Sequence, residues 1–176
     1  NNSFSVHDIS GLRRIWESMG LEILPKDVLD DEIEMKYDAV ISIATIEHQK
    51  NPKQFLKGLL DATQSHGFVY IATPNISHLL NRVRFIFGMS PMQAHLPIFF
   101  RHGEQYVGHW REYTLGELKR MFKWLGIEII DAQNVQSMRP TLKLASLRGW
   151  YVNLFRLLSY IIPGTRDTNI IIGRKK

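Results

Sequence analysis

The chain has 176 residues, which is the length of one ordinary globular domain and enough to bury a single core. Hydrophobic residues make up 44% and charged residues 22%, a composition that excludes a disordered or collagen-like chain. The 22 Lys and Arg exceed the 17 Asp and Glu by five, but the basic residues are scattered along the chain, which argues against a nucleic-acid-binding protein.

The first 24 residues predict a strand, a helix and a second strand. Residues 4–6 end the first strand, residues 11–19 form a short helix that Gly20 closes, and residues 21–24 form the next strand. This alternation is typical of a parallel sheet joined by helical crossovers. The segment lacks the basic start and long apolar run of a secretory signal, and we predict a cytoplasmic protein.

Two further strands flank a predicted helix. The nearly continuous apolar run of residues 37–43 predicts a strand that is covered on both faces. A helix follows from Pro52 to about residue 65, with Asn51 as its N-cap and Gly67 expected to end it. Residues 68–72 return as another buried strand.

Residues 76–113 interrupt this regular pattern. The segment is rich in aromatic residues and histidines, and Pro91 and Pro97 prevent one continuous helix. Long irregular insertions often cover an active site. We therefore expect this segment to lie over a functional pocket.

The helix after the insertion has clear end signals. Thr114 and Glu117 form the spacing of a capping box, and Gly126 ends the helix. Residues 127–130 and 169–172 predict the last two strands.

Residues 147–162 predict an amphipathic helix. Its apolar face carries Trp150, Leu154, Leu157 and Ile161. Most such helices belong to a core or cover a site, whereas others lie on a membrane, and the flanking basic residues suit an anionic surface. Peripheral membrane contact through 147–162 is therefore an open alternative, but the apolar run is shorter than the roughly 20 residues of a transmembrane helix.

Several of these segments together resemble the class I S-adenosylmethionine-dependent methyltransferases. The resemblance rests on the strand at 37–43, the Ile46-Glu47-His48 segment, the strand ending in Thr73-Pro74-Asn75, and the segment 109–114, which is similar to the small-molecule branch. It covers about residues 4–135 plus the last strand. It implies an α/β fold with a Rossmann-like, mostly parallel sheet, helices on both faces and an antiparallel last strand.

The same resemblance implies one methyltransferase-like domain over residues 1–176. Within it, 76–113 and 137–166 would be acceptor-side insertions or a lid.

The resemblance also implies which residues bind S-adenosylmethionine. Asp8, followed by Ile9, would accept hydrogen bonds from both ribose hydroxyls, although an Asp at this place is also a common turn residue. Asp27 and Val28 would flank the adenine. Three residues after the strand at 37–43 would lie along the methionine part of the cofactor: Ala44, Thr45 and Ile46.

One feature of the family has no counterpart. The family's first strand and glycine-rich turn would precede Asp8, which lies only eight residues from the start. In the family that strand is central, and its loss would leave unpaired edges at a cost well above the roughly 5 to 15 kcal/mol of a domain's net stability. We therefore expect an N-terminally incomplete domain: either the 176 residues are a fragment of a longer chain, or another segment or subunit supplies the strand.

Two histidines are candidates for catalysis. His109 could act as a general base that takes the proton of an alcohol or phenol acceptor, because imidazole titrates near neutral pH. The alternative is a packed or capping histidine beside Trp110. His48 is a second candidate because of its position after the strand, and the alternative there is a surface pair with Glu47.

A metal site is a further alternative. The Glu47-His48 pair with a later histidine is similar to the small-RNA 3′-terminal ribose methyltransferases and some quinone-biosynthesis O-methyltransferases, which use Glu and His around a divalent ion. Ala44 stands where the RNA enzymes carry another Glu ligand. We therefore predict that no metal is bound.

The sequence thus predicts an S-adenosylmethionine-dependent enzyme that methylates an oxygen of a small-molecule or carbohydrate-like acceptor. The alternative is a catalytically silent methyltransferase-like module that serves as a binding or scaffolding subunit. The oligomeric state is left open.

Overall fold

The computed structural model describes residues 18–20, 34–92, 95–102, 106, 108–137, 154–155 and 157–176. The chain divides into two compact units, Asn1–Glu32 and Ile33–Lys176. In the first unit Ser18 is helical and Gly20 has a φ of 78°, in agreement with a helix that ends at Gly20. The predicted strands at 4–6 and 21–24 lie outside the described residues.

The second unit is built on a mixed four-stranded sheet. Its strands are β1 (Tyr37–Ile43), β2 (Thr63–Pro74), β3 (Glu128–Val135) and β4 (Thr168–Arg174). Their order across the sheet is β1-β2-β4-β3. β1 is parallel to β2, whereas β4 is antiparallel to both of its neighbours. The predicted α/β fold with an antiparallel last strand is therefore confirmed.

Four helices accompany these strands in the described part of the second unit: α1 (Pro52–Ala62), α2 (Leu79–Ile86), α3 (Leu96–His102) and α4 (Leu115–Trp124). A 3-10 turn, Ile46–His48, follows β1 directly, and residues 157–161 are also helical. The side chain of Asn51 accepts the Gln54 N–H at 3.1 Å, which confirms it as the N-cap of α1.

The predicted capping box at the start of α4 is also present. The Glu117 N–H donates to Thr114 Oγ1 at 3.2 Å, and Glu117 Oε2 accepts the Thr114 N–H at 2.8 Å. Gly126, just after α4, has a φ of 72°, a left-handed conformation that glycine adopts at low cost.

α1 ends at Ala62, about three residues earlier than predicted. The next residue, Thr63, already belongs to β2, and its hydroxyl donates to the Leu59 carbonyl at 2.7 Å. Gly67 therefore does not end the helix. It lies within β2 beside β1, where an added Cβ would come within 2.9 Å of the Asp38 carbonyl oxygen. Close approach of the two strands, rather than helix termination, accounts for this glycine.

The segment 76–113 is less irregular than predicted, because it contains α2 and α3. Pro91 lies between these helices, and Pro97 is the second residue of α3. Proline is tolerated in the first turn of a helix, where the missing N–H has no intrahelical partner. The prolines thus separate two short helices instead of abolishing helical structure.

The core lies where α1 and α4 pack on the sheet. α1 contacts β1 and β2, and α4 contacts β3 and β4. The buried apolar side chains on these faces include Phe55, Leu56, Leu118, Phe122, Val69, Ile71 and Ile171. Burial of this apolar surface is the main term that stabilises the unit.

β1 is confirmed as a strand, but the prediction that both of its faces are covered is wrong for the described structure. Ile41 and Ile43 are each 64% exposed, whereas Ser42 is buried. β1 is an edge of the described sheet and pairs there with β2 alone. This bare edge is where the sequence analysis expects a further strand, which stays a prediction.

Among the described residues, none of the helices combines the length and hydropathy needed to cross a bilayer.

Asn75, at the end of β2, ties the strand to the chain before β4. Its buried side chain donates to the carbonyls of Gly164 at 3.0 Å and Arg166 at 2.8 Å, and it accepts the Ser77 N–H at 3.0 Å. One amide group thus satisfies three backbone groups around the carboxyl end of β2.

Replacement of Asn75 by alanine is expected to lower the free energy of unfolding by about 3 kcal/mol, because these partly buried backbone groups lose their partner. The measurement is urea denaturation followed by circular dichroism. Lys57→Ala on the exposed side of α1 is the control, with an expected change within about 0.5 kcal/mol. Equal effects of the two substitutions would contradict the anchoring role of Asn75.

Candidate active site

The candidate site lies at the carboxyl ends of β1 and β2, the edge where open α/β sheets bind ligands. Ala44 follows β1 with a φ of 51°, and its N–H donates to the Ala72 carbonyl at 2.9 Å. Residues other than glycine rarely adopt this left-handed backbone conformation. At Ala44 it redirects the chain from β1 into the Ile46–His48 turn. The Thr45 hydroxyl caps the end of β1 by donating to the Ile43 carbonyl at 3.0 Å.

Glu47 joins three segments at this edge. Its side chain is fully buried, and Oε2 accepts the hydroxyl of Thr73, near the end of β2, at 2.7 Å. Its backbone carbonyl accepts the N–H groups of Trp110 at 2.8 Å and Arg111 at 3.3 Å. The chain that carries His109 is thereby held against the turn that carries His48.

The other end of the same chain segment is held by β2 and β4. Tyr113 forms a parallel bridge with Asn75, and its carbonyl accepts the side-chain amide of Asn169 at 2.7 Å and the Ile76 N–H at 3.2 Å. Segment 109–113 is therefore fixed at both ends by backbone hydrogen bonds. Side chains held in this way are oriented before any ligand arrives.

Three histidines meet at this place. The ring of His109 lies 4.7 Å from the ring of His48, edge to face at 88°, and 4.7 Å from the ring of His95, nearly parallel at 26°. The two catalytic candidates from the sequence are therefore neighbours. His95, in the turn before α3, is an additional member of the cluster that the sequence analysis did not single out.

Glu112 orients His109. Its Oε1 lies 2.9 Å from His109 Nδ1 and 3.8 Å from His95 Nε2, and the residue is 8% exposed. An ionised carboxylate only accepts hydrogen bonds, so this contact suits the His109 tautomer with the hydrogen on Nδ1 and the lone pair on Nε2. The sequence analysis assigned no role to Glu112, although the His-x-x-Glu spacing of His109 and Glu112 was a usable signal.

Burial and neighbouring groups shift the pKa of two members of this region. Burial lowers the pKa of His95, helped by the nearby His109, while Glu112 opposes the shift. A lowered pKa keeps His95 neutral at pH 7. Burial raises the pKa of Tyr106, whose hydroxyl donates to the His109 carbonyl at 3.2 Å, so this phenol stays protonated.

Two overlapping groups of side chains bring enough ligand atoms together for a cation. Glu47, His48 and His109 place one ligand atom each within 4.8 Å of one another, and so do His95, His109 and Glu112. Oε1 of the buried Glu47 has no hydrogen-bond partner within the described part of the chain. A buried carboxylate oxygen in that state is costly, so a proton, a polar ligand group or a cation would stabilise it.

The structure places the remaining predicted residues as follows. Ala44, Thr45 and Ile46 share the edge with His48 and His109, and the side chain of Ile46 is fully buried. The other four predicted cofactor residues lie outside the described residues: Asp8, Ile9, Asp27 and Val28.

The sequence is 30% identical over 87 residues to the mitochondrial ubiquinone biosynthesis O-methyltransferase of Dictyostelium discoideum. This match covers 49% of the chain and 27% of the relative, so the chain spans about a quarter of the length of this curated protein. No family model matches the sequence.

The structure is similar to those of known methyltransferases. A SAM-dependent methyltransferase from Thermotoga maritima superposes with a TM-score of 0.59 at 15% identity, over 95% of this chain and 70% of that one. Magnesium protoporphyrin IX methyltransferase from Synechocystis PCC 6803, solved with bound SAH, gives a TM-score of 0.50 at 10% identity, over 94% and 57%. The chain therefore has the fold of the SAM-dependent methyltransferases, as its sequence resemblance implied.

Proposed function

We propose that the protein transfers the methyl group of S-adenosylmethionine to an oxygen of a small-molecule acceptor. The observation that carries this proposal is the His109–Glu112 pair at the carboxyl edge of the sheet, with Nδ1 held at 2.9 Å by a buried carboxylate. This arrangement leaves Nε2 as the basic atom of a general base. An alcohol or phenol needs such a base, because its proton leaves as the oxygen gains the methyl group.

The described residues fit the cofactor that the fold implies. Ala44 has a small, exposed side chain at the end of β1, and its left-handed backbone begins the turn at this edge. Ala44, Thr45 and Ile46 would hold the methionine part, with Asp8, Ile9, Asp27 and Val28 assigned to the nucleoside. Bound S-adenosylmethionine supplies an electrophilic methyl group on a sulfonium centre.

His109 takes the proton of the acceptor hydroxyl at Nε2, and Glu112 stabilises the imidazolium that results through its hydrogen bond to Nδ1. Glu112 also prevents the ring from rotating, because rotation would break this bond. The rings of His48 and His109 pack edge to face, and this contact also limits rotation of the His109 ring. The protein must also align the two reactants, because methyl transfer needs an in-line approach of the acceptor oxygen to the methyl carbon.

His109→Ala is expected to leave S-adenosylmethionine affinity nearly unchanged and to lower turnover at least about 100-fold, as loss of a general base should. Calorimetry with S-adenosylmethionine and S-adenosylhomocysteine, together with release of S-adenosylhomocysteine in the presence of acceptor, measures both quantities. His102→Ala at the exposed end of α3 is the matched control.

Unchanged turnover in His109→Ala would show that His109 is a packing residue and not a general base. Failure of the full-length protein to bind either cofactor form would overturn the enzyme proposal and favour the silent binding module instead.

Glu112→Gln is expected to lower turnover about tenfold or more while cofactor affinity stays the same, because the amide holds His109 without stabilising its charged form. Glu112→Asp should recover part of the rate. Unchanged turnover in Glu112→Gln would contradict the positioning role of Glu112.

A second candidate mechanism uses a divalent cation, and the partnerless Oε1 of Glu47 is the observation that favours it. In the proposed mechanism the base acts without metal, so dialysis against EDTA is expected to change turnover by less than about twofold. A loss of tenfold or more that Mg²⁺ or Zn²⁺ restores would replace the base mechanism by a cation-assisted one.

The membrane contact predicted for 147–162 also stays a proposal. Leu157, Tyr160 and Ile161 are 59%, 51% and 68% exposed, which supports an apolar face open to a partner. The cytoplasmic location is likewise an expectation from sequence.

A further inference from the structure

A pocket of about 530 Å³ opens beside His109. Its described lining comes from α3, from residues 88–90, 92 and 95 before that helix, and from residues 106, 109 and 110 after it, and its size is that of a small-molecule site. Because His109 forms part of the wall, a molecule in the pocket would face the proposed base.

Three aromatic rings form one wall of this pocket. Tyr106 lies edge to face against Phe99 and against Trp110, each with ring centres 5.3 Å apart, and Phe99 and Trp110 are 6.0 Å apart. Edge-to-face contacts are the favoured geometry of aromatic pairs, so the three rings hold one another in place. We call these residues the aromatic wall.

Contacts with Gly108 and His109 also fix the position of Tyr106. Its side chain passes so close to Gly108 that a Cβ there would lie 2.1 Å from the phenol oxygen. Its hydroxyl donates to the His109 carbonyl, and the residue is 3% exposed. The wall is therefore preformed and does not depend on a ligand to order it.

The rest of the lining is mostly apolar. Met89, Met92 and Leu96 face the pocket, and methionine makes favourable contacts with aromatic rings. Its polar lining residues are Ser90, His95, His109 and Tyr106, whose hydroxyl is already engaged. Among the described lining residues there is no Asp, Glu, Lys or Arg.

This lining discriminates between classes of acceptor. A carbohydrate presents several hydroxyl groups that need hydrogen-bond partners once they are desolvated, and a phosphorylated molecule needs cationic partners. A flat uncharged ring buries its faces against aromatic and thioether groups without such partners. Among the described residues, the lining suits the ring better than the other two classes, for which it offers few polar partners and no cationic Lys or Arg.

We propose that the pocket binds an uncharged aromatic acceptor, with its ring against the aromatic wall and a ring hydroxyl at His109. The proposal rests on the proposed function for the identity of the reaction, but binding of the ring alone does not require methyl transfer. The proposal narrows the expected class of acceptor from small molecules or carbohydrates to phenols.

The test uses 2-naphthol as the probe and isothermal calorimetry on the full-length protein. Phe99→Ala is expected to weaken 2-naphthol binding about tenfold, because one ring of the aromatic wall is lost. Phe100→Ala is the matched control, since Phe100 is the next residue of α3, is 86% exposed and does not line the pocket. Circular dichroism checks that both variants keep their helices.

Phe99→Leu separates aromatic recognition from apolar volume, and it is expected to bind 2-naphthol several-fold more weakly than the native protein. Absent 2-naphthol binding, or equal loss in Phe99→Ala and Phe100→Ala, would overturn the inference. If Phe99→Leu bound 2-naphthol as tightly as the native protein, the inference that the pocket recognises an aromatic ring would be overturned.

Methyl-transfer assays separate this inference from the proposed function. Methylation of 2-naphthol but not of methyl glucoside supports both. Binding of 2-naphthol without binding of S-adenosylmethionine would keep the pocket assignment and remove the methyltransferase activity. Methylation of the glucoside alone would keep the activity and overturn the aromatic acceptor.

Discussion

The buried carboxylate and carbonyl of Glu47 hold the candidate site together. The carboxylate accepts the Thr73 hydroxyl, and the carbonyl accepts the backbone of residues 110 and 111. One residue therefore connects the end of β1, the end of β2 and the segment that carries His109. Loss of the Glu47–Thr73 bond would leave two buried side-chain groups unpaired, at a cost of about 1 to 3 kcal/mol, which is a sizeable part of a domain's net stability.

This junction explains why the candidate catalytic groups lie where they do. Segment 109–113 has little regular structure of its own, yet it is bonded to Glu47 at one end and to Asn75 and Asn169 at the other. With its backbone fixed, Glu112 reaches His109 and Trp110 joins the aromatic wall. The proposed base and part of the proposed acceptor pocket thus depend on the position of this one segment.

The fold supplies the edge, and the side chains at that edge decide the chemistry. Parallel β1 and β2 bring their carboxyl ends together, so the turn after one strand and Thr73 near the end of the other can touch. Solved methyltransferase structures have a similar fold at 15% and 10% sequence identity. The His109–Glu112 pair and the aromatic wall carry the specific proposals about acceptor and proton transfer.

The sequence by itself determined the four strands of the described sheet, the N-cap of α1 and the capping box of α4, because apolar periodicity and capping act over a few neighbouring residues. It also singled out His48 and His109 as catalytic candidates, which the structure places side by side. Only the tertiary structure decided that Glu112 orients His109, that Gly67 serves strand contact, and that Phe99, Tyr106 and Trp110 form one wall. Gly67 and the aromatic wall depend on contacts between separate segments. The His109–Glu112 contact depends on the path of a loop, which the His-x-x-Glu spacing suggests but does not fix.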